Sequence, residues 1–281
     1  MSTHEPTLAP DQDPFFVFDF TTVAEPGEGQ RITTYWDVEP LCRGPEPLPG
    51  WVVTDRAAID TELGILKTGK EADVFLLERA VEGDPGVVMA AKRYRGEEHR
   101  TFHRSNAYVE GRRIRNSRDT RAMAKKTTHG RAVAAGQWAN AEWESLQRLW
   151  TLGVPVPYPV QIDGTEILME LIEVDGEAAP RLARTRPGPV LLASYFEQLR
   201  EALITMASAG IVHGDLSPYN TLAAGDRLVI IDLPQVVDLV ANPFGTELLL
   251  RDCRTMSAWF ASRGLETDAD ELFALLLAQA W

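Results

Sequence analysis

Three residues in the second half of the chain pose the chemical question. In IVHGDLSPYN, Ile211 to Asn220, Asp215 and Asn220 stand five positions apart, and Asp232 ends the apolar run LVII twelve positions later. A loop aspartate can accept a hydroxyl proton, while an asparagine oxygen and a second carboxylate can hold a hard divalent cation. Together these are the needs of phosphoryl transfer, which requires positioned oxygens and charge neutralisation more than covalent help. His213, in the same stretch, reads as structural. H-G-D alone also fits a turn with Asx hydrogen bonds, so its surroundings must decide.

Lys92 is the first of those surroundings. Among 28 basic residues only five are lysines, at positions 67, 70, 92, 125 and 126, and Lys92 lies on the apolar run VVMAAKRY. That placement suggests a need for a compact ammonium, although a strand-end lysine can also snorkel to water. Glu142 is the natural partner. In AGQWANAEWESLQRLW, Trp138, Glu142, Leu146 and Leu149 share one helical face, whereas Glu144, Gln147 and Arg148 point elsewhere. A carboxylate on an apolar stripe needs a cation, in a functional pair or a purely structural one. The loop KTGKEA, Lys67 to Ala72, is either an ordinary hairpin turn or a backbone that approaches phosphate, with lysines adding positive field.

Elements must hold these residues together. GILKTGKEADVFLL, Gly64 to Leu77, reads as strand, glycine-containing turn and strand, and Val87 to Tyr94 as a third strand. Helices are expected from about Val133 to Trp150 and from about Val190 to Ala209. In the second, Leu192, Phe196, Leu199, Leu203 and Met206 form the apolar stripe and Gly210 sits at the C-cap. ILMELIEV, Ile167 to Val174, reads as one buried strand between them, and LVIIDL as a short strand ending at Asp232. The remainder from Pro243 reads as helical, with Leu248, Met256, Trp259, Phe260, Phe273 and Leu276 as core residues. Strands thus dominate the first half and helices the second: an α+β layout of two small lobes with a cleft at the crossover. The expected divisions are an acidic, proline-rich arm over residues 1–50, a strand-rich lobe over 51–174 and a helical lobe over 175–281. Within the arm, FFVFDF, Phe15 to Phe20, is apolar enough to dock as a strand.

Composition narrows the class. The 281 residues are 44% hydrophobic and 25% charged, as in an ordinary globular protein. No apolar run reaches the roughly 18 residues of a membrane helix, and the polar start does not read as a signal peptide. Cys42 and Cys253 have no metal-ligand spacing, so a reduced, cytoplasmic protein with no membrane partner is expected. The net charge of −13 argues against nucleic-acid binding by the whole surface. Lys92 to Arg131, however, carries 13 basic side chains against 4 acidic ones. That segment reads as an exposed loop, either solvated or facing an anionic partner.

With these residues assembled, the chain resembles the RIO family of atypical serine/threonine protein kinases, within it the group with an S-T-G-K-E-A loop. The matching segments are KTGKEADVF, AAKRY, WANAEWESLQRL followed by GVPVPYPV, ILMELI, IVHGDLSPYN, VIIDLPQVV and LLRDC, across most of residues 60–260. The resemblance implies a small two-lobed, protein-kinase-like α+β fold, β-rich then helical, without an activation loop or A-P-E region. It implies ATP- and Mg²⁺-dependent phosphoryl transfer to protein Ser/Thr hydroxyls, including the enzyme's own, with Mn²⁺ as an alternative metal, or ATP hydrolysis as a switch. Lys92 would contact the α- and β-phosphates and pair with Glu142, and Lys67, Thr68, Gly69, Lys70, Glu71 and Ala72 would cover the phosphates. Met169 would be the gatekeeper, with the backbone of Glu170 and Ile172 meeting adenine. Asp215 would be the catalytic base, and Asn220 and Asp232 the metal ligands; in the family the latter aspartate can itself accept phosphate.

The basic loop, about 93–131, corresponds to the family's flexible loop and would meet a protein substrate or partner. Relatives act in small-subunit ribosome maturation, so ribosomal association is implied by analogy alone. Three features depart from the pattern or from ordinary kinases. Lys67 replaces a serine, D-L-P stands where ordinary kinases have D-F-G, and the short remainder from Leu233 leaves little room for the usual peptide-binding helices. Small-molecule phosphotransferases of the aminoglycoside or choline type, which also use H-G-D-x4-N, form the alternative. They devote more chain to a helical substrate pocket. A non-catalytic nucleotide-binding scaffold is a further alternative, disfavoured by the complete residue set.

Overall fold

The structure, a computed structural model, describes residues 26–95 and 128–280. FFVFDF and most of the basic segment lie outside the described residues. The amino-terminal lobe is a six-stranded antiparallel sheet in the order β1-β2-β3-β4-β6-β5. Its strands are β1 (Gln30–Ile32), β2 (Ile59–Thr68), β3 (Ala72–Ala80), β4 (Val87–Tyr94), β5 (Pro159–Asp163) and β6 (Glu166–Glu170). Register places Lys92 opposite Val74 on one side and Ile167 on the other, in the middle of the sheet.

Alternation along β4 explains the layering. Ala90 and Tyr94 face the main core, where α1 (Thr128–Thr151) packs, whereas Met89 and Ala91 face a second cluster with Leu77, Tyr158, Val160 and Leu168. A sheet that is apolar on both faces must be covered on both. The outer cover comes from residues expected to form an arm. Tyr35 is buried there, and Trp51 and Val52, which open the expected strand-rich lobe, pack on the same cluster. The same segment crosses α1, where Trp143 Nε1 donates to the Leu41 carbonyl (3.1 Å) and Gln147 Nε2 to the Arg43 carbonyl (2.8 Å). The Tyr158 hydroxyl donates to the Pro45 carbonyl, so the proline-rich stretch is pinned rather than free over residues 35–52. The proline content reflects a tight surface path, not absence of packing.

α1 begins earlier than its apolar stripe suggests and ends at Thr151, with Gly153 just beyond it at a φ of 78° that suits a helix C-terminus. The Val154 N–H reaches back to the Leu149 carbonyl (3.0 Å) to close it. The expected single strand Ile167–Val174 is two. β6 stops at Glu170, and β7 (Glu173–Val174) turns into β8 (Glu177–Ala178) through Asp175 and Gly176, both at positive φ. The Asp-Gly turn pairs Glu173 and Val174 with Ala178 and Glu177, so this end of ILMELIEV joins a local hairpin instead of prolonging β6. Leu171 and Ile172 are left as the crossover between lobes.

The second lobe centres on α2 (Pro189–Ser208), which buries Leu192, Leu199, Leu203 and Met206, with Phe196 partly buried against Phe260. Gly210 follows at φ 68°. The remainder forms two helices, α3 (Gly245–Ala261) and α4 (Ala269–Gln279), split by a turn that Asp268 caps by accepting from the Asp270 and Glu271 amides. Leu248, Met256, Phe260 and Leu276 are core, while Trp259 and Phe273 pack at its margin. Between α2 and α3 lie four short strands. β9 (Ile211–Val212) pairs with β12 (Val237–Asp238), and β10 (Thr221–Ala224) with β11 (Arg227–Ile230). No helix among the described residues is long and apolar enough to cross a membrane.

Candidate functional site

Lys92, Glu142 and Asp232 meet at the cleft. Lys92 Nζ donates to Glu142 Oε1 (2.6 Å) and to Asp232 Oδ1 (2.9 Å). The Lys92 and Glu142 side chains are 13% and 3% exposed, and Asp232 is 43% exposed toward the cleft. β4 supplies the lysine, the inward stripe of α1 the glutamate and the loop after β11 the aspartate. Glu142 also accepts from the Tyr94 hydroxyl and the Leu233 amide (3.3 Å), so its buried charge has three donors. Burial alone would lower the Lys92 ammonium, but the two carboxylates outweigh it and hold it well above its ordinary value. Burial would likewise raise Asp232, yet Lys92 keeps it below its ordinary value and ionised.

Asp232 is not the end of a strand. β11 stops at Ile230, and Asp232 takes φ 68°, a conformation costly for most side chains but tolerated by Asp and Asn. That turn points the carboxylate into the cleft and the following amide at Glu142.

The IVHGDLSPYN loop is held by backbone and side-chain bonds. Asp252, buried on α3, accepts from the amides of Gly214 (2.8 Å) and Leu216 (3.0 Å), on either side of Asp215. Burial pushes its carboxyl up to about 7, and the two amides pull the other way. His213 is buried and structural, as expected. Its Nδ1 accepts from the Asp215 amide (3.3 Å), which leaves the other nitrogen, 3.2 Å from the Ile231 carbonyl, as the donor. Burial lowers its pKa, in keeping with a neutral ring. The Arg251 guanidinium donates to the Gly214 carbonyl and lies 3.9 Å from Asp215. Asn220 Nδ2 donates to the Asp215 carbonyl (2.9 Å), which leaves its oxygen as the atom able to face a cation.

The remaining expected residues lie on the β2–β3 turn, on β6 and at the crossover. Gly69 turns tightly, its amide donating to the Ala72 carbonyl (3.0 Å), and a Cβ there would meet that oxygen at 2.7 Å. Lys67, Thr68 and Lys70 are exposed around this turn and Ala72 is buried. Glu71 is raised by burial and by Asp232, with Lys92 opposing. Met169 is core-facing on β6. At the crossover the Ile172 carbonyl accepts from Ala179 (2.8 Å), and its own N–H has no backbone partner among the described residues.

Asp252 escaped the sequence reading, although a signal was present. It shares an apolar helical stripe with Leu248, Leu249 and Met256, the pattern that singled out Glu142.

Among the described residues no cluster of three His, Cys, Asp or Glu side chains could hold a metal. The donors present are the Asn220 oxygen and the Asp232 carboxylate. Two protein oxygens fit a cation such as Mg²⁺, which keeps water and phosphate oxygens in its remaining positions.

Fold and site define a small, two-lobed, kinase-like α+β protein with a cation-lined cleft. The sequence matches the RIO domain over residues 79–272, and the chain belongs to that family. It is 36% identical over 215 residues to the RIO-type serine/threonine-protein kinase Rio1 of Haloferax volcanii, a match covering 76% of this chain and 68% of that protein. It is 29% identical to the serine/threonine-protein kinase RIO1 of Chaetomium thermophilum, over 77% of this chain and 42% of that one. For the Dictyostelium discoideum protein rio1 the identity is 28%, over 84% and 38%. The chain thus spans less than half of these two longer relatives.

Proposed function

We propose that this protein transfers the terminal phosphoryl group of ATP to serine or threonine hydroxyls of proteins, itself included, with Mg²⁺ or Mn²⁺ as the metal. The observation that carries the reading is the triangle of Lys92, Glu142 and Asp232, which joins sheet, helix and C-lobe loop at one point. Lys92, fixed by Glu142, presents its ammonium to the α- and β-phosphates. The turn from Lys67 to Ala72 lays backbone amides over the phosphates, with Gly69 allowing the close approach. Met169 bounds the adenine pocket, and the Glu170 carbonyl and Ile172 amide pair with the base. Asp215 accepts the proton of the attacking hydroxyl, held in place by Asp252 and Asn220. Asn220 and Asp232 are the residues that would hold the metal, which neutralises phosphate charge when bound. Family membership supports this reading over a small-molecule phosphotransferase.

The deciding experiment is incubation with γ-labelled ATP and Mg²⁺, followed by acid and hydroxylamine treatment of the labelled protein. Acid-stable label on Ser or Thr is the expected outcome. Label lost to hydroxylamine would move the acceptor to Asp232, and free phosphate alone would make the protein an ATPase switch.

A further inference from the structure

Beside the stripe that carries Glu142, α1 opens onto a recess of about 270 Å³ that none of the cleft residues described above lines. Ala141 and Glu144 of α1 form one wall, and Ile211 of β9, Val237 and Asp238 of β12, and Asn242 form the other. Ala141, Ile211 and Val237 make part of that lining apolar and are themselves buried.

Two carboxylates in this recess lack a cation. The Glu144 side chain is exposed and has no ion-pair or hydrogen-bond partner among the described residues. Arg148, four positions on, would be its usual helical partner. The Arg148 guanidinium instead donates to the Ala209 carbonyl (2.6 Å) at the end of α2. Asp238, also exposed, accepts through Oδ1 from the Val240 and Ala241 amides (2.9 and 2.7 Å) and has no ion-pair partner among the described residues. Asn242 lines the same recess and is only 7% exposed. Its Oδ1 accepts from the Phe244 amide (2.9 Å), which leaves Nδ2 a donor with no hydrogen-bond partner among the described residues. A buried amide donor left unpaired is costly and calls for an acceptor.

Unpaired carboxylates, apolar lining and a buried donor together describe a complementary occupant: a cation on an apolar stem, with a carbonyl near its base. An arginine in an extended peptide has all three, since its methylenes cover apolar surface and its planar fork matches carboxylates. We propose that this recess takes an arginine side chain from an extended segment of a partner protein. The guanidinium meets Glu144 and Asp238, and a peptide carbonyl accepts from Asn242 Nδ2. The net charge of −13 favours approach of such a basic segment. Seated there, it braces α1, which carries Glu142, against β12, which follows the Asp232 loop.

Titration of the full, isotope-labelled chain with Nα-acetylargininamide, followed through its amide resonances, tests this. Saturable shifts at Ala141, Val237 and Asn242 are expected, with the neutral isostere Nα-acetylcitrullinamide weaker by about tenfold or more. Glu144→Gln should weaken the arginine probe about threefold with Tm unchanged, because Glu144 is exposed and unpaired. Asn242→Asp keeps the acceptor for the Phe244 amide and removes the donor. It should reduce the preference for Nα-acetylargininamide over butylguanidinium, which has no carbonyl, about threefold or more. Equal binding of the citrulline probe, or full affinity in Glu144→Gln, removes the charge complementarity and overturns the proposal. So does a wild type without saturable shifts at those residues. An unchanged preference in Asn242→Asp makes the recess a site for a small guanidine or amine, and also overturns it.

Discussion

Glu142 shows how one buried side chain can organise a site. Its carboxylate takes the Lys92 ammonium, the Tyr94 hydroxyl and the Leu233 amide, so deletion would strand three donors at once. Glu142→Ala is expected to cost about 3 kcal/mol of stability, measured by urea unfolding, because a buried charge loses its partner. Asp215 makes the opposite case, since its expected role is chemical. Asp215→Asn should lower phosphoryl transfer by about 10²- to 10⁴-fold while nucleotide affinity by calorimetry stays at the wild-type level. Wild-type turnover in that variant would remove Asp215 from the proton-accepting role. These residues were legible in the sequence because each is chemically out of place: a lysine in an apolar strand, a glutamate in an apolar stripe. Asp252 obeys the same rule.

At the scale of elements, periodicity located the helices and most strands, and failed where local backbone chemistry overrode it. The Asp175-Gly176 turn drew the end of ILMELIEV into a separate hairpin, and the left-handed turn at Asp232 cut LVIIDL short. Proline content hid the packing of Tyr35, because a cover for the outer sheet face has no period of its own. The glycine turn between β2 and β3 is the element most exposed to test. Gly69→Val forces a Cβ against the Ala72 carbonyl, so KM for ATP should rise about tenfold or more through misplaced amides. The loop is a surface turn, so Tm should barely move. The link from α3 to the catalytic loop carries a pH dependence. Asp252 is raised from 3.8 to about 7 by burial, so between those values the folded chain keeps a proton that the unfolded chain releases. Its contribution is full below about 3.8 and is lost as pH rises through about 7. Stability from urea unfolding should therefore decline over that window in the wild type, and Asp252→Asn should flatten this part of the profile.

The whole molecule is two lobes that share one core but touch chemically at a triangle of charges. Lys92 and Glu142 belong to the first lobe and Asp232 to the second, so the ammonium holds the lobes together through the carboxylate that would also serve the metal. A bound metal–nucleotide would replace that internal tie, with Lys92 turned to phosphate and Asp232 and Asn220 to the metal, and so would couple nucleotide binding to stability. A ligand at a hundred times its Kd adds about 2.7 kcal/mol, or about 5–10 °C in Tm for a chain this size. Thermal unfolding with ATP should show that rise with Mg²⁺ present and a smaller one with a chelator. Asp232→Asn is the variant that isolates the metal's share. Asparagine accepts the left-handed backbone that Asp232 adopts, so the loop and its amide to Glu142 are kept while the negative charge is lost. The chelator should then make little difference to the nucleotide-induced rise. An undiminished Mg²⁺ effect in Asp232→Asn would place the metal elsewhere in the cleft.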